Sequence, residues 1–542
     1  MFVPEITDPF ALELPTKFQE FRPGQIQVLK QILDSKKKIT IVQAPTGAGK
    51  TLIMAALQRL TNQKMLYLCS TIQLEEQVKN DFWYGELLKG RRNYETTFYE
   101  KEFPTINAGM CTRSKGPHCK WCCDREPAEL KSKFCKGLNS CPYFTAKQRA
   151  LTADLAILNM ALFLNEANYI GGFSGRPWIC IDEADTIEDH LLSFIELEIT
   201  PRFISKLNIP PPARKTVQSA WTEWAETKAR PKIVTRLNEL KGNWGTADIQ
   251  EEQALERMLN RLDFFLENVD ETWVYSEEKN TRGGKSFVFR PTYVSKFAQD
   301  KIWQHGQRFL LMSATIISAT QMCKDLGIER SDMQFIDLKS DFDPMRRPIY
   351  YIPSVAVSNK TKDTDWPILV RGLDKSLDKY KSQKVLVHTV SGALADFVKQ
   401  KSKYSSRMIT YGGKSGVKRE DALKEFMDAK ESKVLVSQSM DRGVDFYGDL
   451  CRINIILKVP YLNLGDAQVS KRVYGSRDGN MWYAVHTWRT LVQMCGRIVR
   501  SQEDWGITEI HDKQFGDRLW AKNKNLAPAW WREALRMPKR TS

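Results

Sequence analysis

The stretch KITIVQAPTGAGKT, Lys38 to Thr51, constrains this chain more than any other. A short β-branched run gives way to glycines, a lysine and a threonine, and a helical pattern follows. Ala44-Pro-Thr-Gly-Ala-Gly-Lys50-Thr51 has the spacing of a phosphate loop, with Ala44 in the place of the usual first glycine. Thr46, Gly47, Ala48 and Gly49 can close backbone N–H groups around phosphate oxygens, and the next helix turns its positive end toward them. Lys50 can reach the β- and γ-phosphates, and the Thr51 hydroxyl can ligate Mg²⁺. Such a loop needs a buried parallel strand before it, so it commits the chain to an α/β fold.

Other runs read as strands of the same kind: KMLYLCST, WICIDEAD, RFLLMSAT, KVLVHTVSG, KVLVSQSMDRGVD and INIILKVP. Each is a short apolar run with a polar tail, as in parallel sheets buried on both faces. Ligands in these sheets bind at the carboxyl ends of strands, which makes the tails the place for chemistry. After Ile179-Cys-Ile, Asp182 can hold Mg²⁺ and Glu183 can orient an attacking water. Together the two tails predict ATP hydrolysis.

Later tails narrow the class. Ser313-Ala314-Thr315 and Asp441-Arg-Gly-Val-Asp445 each follow a strand. Gln493-Met-Cys-Gly-Arg497-Ile-Val-Arg500 puts two arginines three apart, on one face if the segment is helical. Arginines supplied by a second domain can stabilise charge at a γ-phosphate and couple hydrolysis to movement.

The set APTGAGKT, IDEAD, SAT, GVDF and QMCGRIVR resembles the XPD/DinG branch of the superfamily 2 helicases. FRPGQIQVL, LLKGRRNY, CPYFTAKQRAL and LAILNMALFL add to the likeness, which is weakest from about 191 to 299. The resemblance implies two RecA-like parallel-sheet motor domains, the first interrupted by a small iron–sulfur domain and a mainly helical arch-like insertion. The expected boundaries are residues 1–92, 145–190 and 300–335 for motor domain 1 and 93–144 for the iron–sulfur domain. The insertion would span 191–299 and motor domain 2 would span 336–542. It also implies adenine recognition by Arg22 and Gln25, a nucleotide contact at Asp445, and catalytic roles for Gln493, Arg497 and Arg500. Thr389-Val-Ser391-Gly392 looks like a motif that contacts the nucleic-acid backbone.

Six of the eleven cysteines lie between Cys111 and Cys141. Thiolates so crowded bind soft metals. By pattern alone a zinc site is a rival, with His118 as a nitrogen ligand. The resemblance favours a [4Fe–4S] cluster on Cys111, Cys119, Cys122 and Cys141, with Cys135 as the alternative ligand. The chain departs from relatives that carry a cysteine just after GRxNY, since Glu95 follows Asn93-Tyr94 here.

Lysine and arginine outnumber the acidic residues to give a net charge of +16, which suggests a polyanionic partner. No apolar run approaches a membrane span and the N-terminus lacks a signal-peptide pattern, so a cytoplasmic protein without stable disulfides is expected. Between about 190 and 299, EEQALERMLNRLDFFLENV reads as a core-packed helix, WVYSEEKNTRGGKSFVFRP as a hairpin, and the tryptophans as buried. The expected function is an ATP-dependent DNA helicase acting as a single copy on single-stranded DNA and on single/double-strand junctions. Its 5′→3′ polarity comes from the resemblance. A nucleic-acid-stimulated translocase that does not unwind is the alternative, and the residues admit RNA as well as DNA.

Overall fold

The computed structural model describes residues 8–94, 142–240, 246–279, 284–412, 415–438, 446, 448–499 and 502–538. The six clustered cysteines, Asp445 and Arg500 lie outside the described residues. The chain begins its first sheet with β1 (Ile39–Gln43), β2 (Met65–Cys69), β3 (Glu86–Leu87), β4 (Leu155–Asn159) and β5 (Arg176–Asp182). Every residue of β1 and β2 is buried, which is why β2 reads as an unbroken apolar run and β1 as one interrupted only by Thr40 and Gln43.

After β5 the chain leaves the sheet for an insertion. It contains β6 (Leu197–Ile199), several helices, and the hairpin of β7 (Trp273–Lys279) with β8 (Lys285–Pro291). These strands form a small antiparallel sheet in the order β6-β8-β7. Its core is aromatic: Trp221 lies 5.0 Å from Phe287 and 5.3 Å from Phe289, and Phe265 lies 5.0 Å from Phe289. Trp221, Trp224 and Trp273 are buried, as expected, and two of their indole N–H groups donate to the Lys215 and Pro210 carbonyls. The helix Thr246–Asn268 presents Leu255, Leu262 and Phe265 to this core.

The chain then returns as β9 (Gly306–Ser313), which inserts between β1 and β5, and as β10 (Met333–Asp337), which closes the sheet beyond β1. The full order is β10-β1-β9-β5-β2-β4-β3, all parallel. β10 crosses the expected domain boundary at 335. Gln43 donates to the Asp337 carboxylate and accepts the Leu338 N–H on its carbonyl, so the first sheet holds the chain through 338.

The second parallel sheet follows, with β11 (Ile349–Tyr351), β12 (Val385–His388), β13 (Met408–Thr410), β14 (Val434–Ser437), β15 (Ile453–Ile456), β16 (Ile507–Ile510) and β17 (Leu535–Arg536). Its order is β13-β14-β12-β15-β16-β11-β17. Two RecA-like α/β layers thus stand in one chain, each covered by helices.

Around the cysteine segment, Tyr94 and Tyr143 meet edge to face at 5.6 Å, so the described chain on either side ends at one place. Beside them Lys147 and Glu166 form a buried ion pair at 3.0 Å, and Tyr143 donates to Glu166. Nearby Glu75, on the helix Ile72–Asp81, is raised from 4.5 to about 7, chiefly because burial disfavours its charge. A raised carboxyl binds its proton more tightly in the folded state, so its contribution is present below 4.5 and lost as pH rises through 7. Glu75→Gln is therefore expected to raise the chemical-unfolding midpoint at pH 8. That advantage should fade as the buffer is taken down toward pH 4.5, and an equal advantage at both ends would exclude a titrating Glu75.

Candidate active site between the motor domains

The phosphate loop joins β1 to the helix Lys50–Thr61. Gly47 and Gly49 have φ of 78° and 75°, the left-handed region that glycine enters without strain. A Cβ on Gly49 would stand 2.4 Å from Gln25 Nε2, so this position also lacks room for a side chain. Gln25 is 3% exposed, and its amide donates to the Ala48 carbonyl at 2.9 Å while accepting the Arg22 N–H at 3.0 Å. Arg22 Nη1 donates to the Gly47 carbonyl at 2.7 Å. The two residues expected to read adenine thus clasp the phosphate loop from behind. Sequence offered no signal for that clasp.

The acidic box ends β5, two strands from β1. Asp182 accepts the Tyr67 hydroxyl at 2.9 Å and the Glu183 N–H at 2.9 Å. Burial, then the Asp182 charge, pushes the Tyr67 hydroxyl far up, which keeps it a donor. Glu183 has φ of 50°, an uncommon conformation for a residue with a side chain, and it turns the carboxylate toward the loop. Lys50 Nζ lies 3.8 Å from Glu183 Oε1. Asp185, given no role from sequence, accepts Ser313 Oγ at 2.6 Å and Thr315 Oγ1 at 3.0 Å, locking the acidic box to Ser313-Ala314-Thr315.

The second domain closes the site with the helix Gly479–Cys495. Gln493, in its last turn, donates from Nε2 to Thr315 Oγ1 at 2.7 Å and to Glu183 Oε2 at 3.3 Å. The helix stops at Cys495, so Arg497 lies beyond it and the helical face expected to carry both arginines does not extend that far. Arg497 is buried and donates to Gln493 Oε1 at 2.9 Å and to the Gln493 carbonyl at 3.2 Å. A Cβ on Gly496 would lie 3.2 Å from Thr46 Oγ1, which shows how near the phosphate loop approaches. At the end of β12, burial and then the charge of Arg497 hold His388 down at about 3, so no titrating histidine underlies the arginine.

Thr389 and Ser391 are occupied locally: Thr389 donates to the Ser437 carbonyl and Ser391 caps the helix Gly392–Lys401. A cleft of about 740 Å³ opens between the first domain and the insertion. Arg91, Asn93, Tyr143, His190, Arg257 and Arg261 are among its lining residues. No helix among the described residues is long and apolar enough to cross a membrane.

Comparison with known proteins agrees with this arrangement. Residues 375–534 match the helicase C-terminal domain, and residues 18–116 match the type III restriction enzyme res subunit. A probable ATP-dependent helicase of Methanocaldococcus jannaschii is 23% identical, over 92% of this chain and 92% of its own length. The ATP-dependent DNA helicase DinG of Photobacterium profundum is 24% identical over 45% of this chain and 37% of its own. The structure of S. tokodaii Xpd4 superposes with a TM-score of 0.59 at 14% identity, covering 95% of this chain and 100% of that one. A second solved XPD helicase gives 0.61 at 18%, covering 95% and 99%. The chain thus carries a match to the helicase C-terminal domain, shares the fold of the solved XPD helicases and resembles ATP-dependent helicases in sequence, likenesses that support an ATP-hydrolysing helicase.

Proposed function

We propose that this XPD/DinG-like helicase unwinds DNA by moving 5′→3′ along a single strand, with one ATP site shared by its two motor domains. The observation that carries the reading is Gln493, which reaches from the second domain to Glu183 and Thr315 of the first. In that position any change at the γ-phosphate, sensed by Glu183 and Lys50, is felt by the second domain. Glu183 would orient the attacking water, and Lys50 and Arg497 would offset charge on the transferring phosphoryl group. Thr51 and Asp182 would hold Mg²⁺, which when bound neutralises phosphate charge. Asp182 suits that role because its carboxylate keeps acceptor capacity beyond the two hydrogen bonds described. Arg22 would meet adenine with the N–H groups not spent on the Gly47 carbonyl, and Gln25, whose amide nitrogen holds the Ala48 and Gly49 carbonyls, with the remaining lone pair of its amide oxygen. Asp445 and Arg500 are proposed to complete the nucleotide contacts.

Cys111, Cys119, Cys122 and Cys141 are proposed to hold a [4Fe–4S] cluster, with Cys135 as the alternative ligand. Support comes from the thiolate-rich donor set and from the meeting of Tyr94 and Tyr143, which suits a small domain inserted at one point. Metal binding would add folding energy to so short a segment.

The cleft lined by Arg257 and Arg261 would take the single strand. Replacing both arginines by alanine is expected to weaken binding of an oligothymidine and to flatten the log K against log salt slope by about 1.4. An unchanged slope would move the strand elsewhere. The function itself is tested with the chain purified without oxygen, assayed for ATPase on single-stranded DNA and RNA and for unwinding of duplexes with 5′ or 3′ tails. DNA-stimulated ATPase with unwinding from a 5′ tail is the expected result. ATPase without strand separation would favour the translocase reading, and zinc without acid-labile sulfide in the same preparation would remove the cluster.

A further inference from the structure

The helix Gly479–Cys495 touches the first domain at two places, and the nucleotide site uses only one of them. Trp482, His486, Arg489 and Gln493 recur at three and four residues and so share a face. Gln493 meets Glu183 at one end of that face. At the other end Trp482 Nε1 donates to Glu188 Oε2 at 3.3 Å, and His486 Nε2 lies 3.4 Å from the same oxygen. Glu188 belongs to the helix Ile187–Ile195, which begins directly after the acidic box.

The centre of this second contact is Arg472, on the helix Ala467–Tyr474 of the second domain and 3% exposed. Its guanidinium reaches three separate parts of the chain. Nη1 lies 2.8 Å from Glu188 Oε1 and donates to the Thr292 carbonyl at 2.8 Å, while Nη2 donates to Asp325 Oδ1. Asp325 ends the helix that follows Ser313-Ala314-Thr315, and Thr292 lies just past β8 of the insertion. The rings of Tyr293 and Trp482 each lie 4.8 Å from the guanidinium carbon. Burial would raise Glu188, but the His486 hydrogen bond and the Arg472 charge bring it well below the usual range. Asp325 goes the other way, because burial and the Glu188 charge outweigh Arg472. An ion pair this dry is held together by its geometry, and removing one partner leaves a buried charge uncompensated.

We propose that Arg472 is a positioning residue for ATP turnover, seating the helix Gly479–Cys495 against the first domain and the insertion so that Gln493, with Arg497 bonded to it, meets Glu183. The proposal rests on the shared ATP site argued above. The planar fork serves Glu188 and the Thr292 carbonyl from one nitrogen and Asp325 from another, a fixed spread that a lysine's three donors on one nitrogen do not reproduce. Arg472→Lys therefore keeps the charge and loses the registration.

The test compares wild type with Arg472→Lys and, separately, Glu188→Gln, in the full chain. DNA-stimulated kcat is expected to fall tenfold to a hundredfold, roughly, with KM for ATP unchanged, because a small misplacement harms chemistry more than binding. Amide exchange along Gly479–Cys495 should quicken in both variants, and the double variant should lose no more than the worse single one. Wild-type turnover and exchange in Arg472→Lys, or a loss of activity merely in proportion to the folded fraction, overturns the proposal. A wild-type chain without ATPase would defeat the shared site instead, and the exchange comparison would still decide whether Arg472 seats the helix.

Discussion

Glu183→Gln is expected to stop nearly all ATP turnover while ATP and single-stranded DNA still bind. The loss in kcat should be roughly a hundredfold to ten-thousandfold, the range for removing a positioned base. Glutamine keeps the size of the side chain and can still accept from Gln493, so the bridge to the second domain at 3.3 Å survives in altered form. What disappears is the negative charge beside Lys50, 3.8 Å away, and the capacity to take a proton from water. Asp182 keeps the Tyr67 hydroxyl but accepts from a backbone N–H that does not depend on the substituted side chain. Single-turnover hydrolysis in rapid quench, with binding of a fluorescent ATP analogue measured in parallel, separates chemistry from affinity. Turnover within tenfold of wild type would assign water activation to another residue, and loss of analogue binding would make Glu183 a binding group.

Those expectations were visible in the sequence to different degrees, for physical reasons. Buried parallel strands with polar tails can be read directly, because both faces of β1 and β2 are buried and the tails must carry the ligand chemistry. The phosphate loop and acidic box could therefore be placed at one edge of the sheet from sequence, whereas only the resemblance places Gln493 beside them. The end of the first domain could not, because β10 joins β1 through a pairing that no local pattern announces. Neither could the clasp of Arg22 and Gln25 on the loop, since an amide gives no sign in sequence of which carbonyl it will meet. Arg497 follows the same rule: helical spacing suggested a continuous face, yet Gly496 ends the helix and the arginine folds back on Gln493. Arg472 carries no motif at all. Its importance comes from three segments far apart in the chain converging on one buried guanidinium.

Arg497→Ala is expected to reduce kcat roughly a thousandfold or more if this arginine acts as the transition-state cation supplied by the second domain. The structure shows it bonded to Gln493, and that bond makes the pair testable. Gln493 holds Thr315 and Glu183 with its amide nitrogen and Arg497 with its amide oxygen, so one side chain links Glu183 and Arg497. Gln493→Glu would keep the acceptor for Arg497 but remove the donor to Thr315 and place a second carboxylate beside Glu183. Like charges that close disfavour one another, so the domains should separate more readily and ATP-dependent closure should weaken. The expected pattern is therefore asymmetric. Arg497→Ala should lose chemistry and retain closure when a non-hydrolysable ATP analogue is added, read by energy transfer between dyes on the two domains. Gln493→Glu should lose closure and, with it, the DNA stimulation of ATPase. Identical losses in both variants would mean that Gln493 and Arg497 act as one unit, and retained closure in Gln493→Glu would remove Gln493 as the link between hydrolysis and movement.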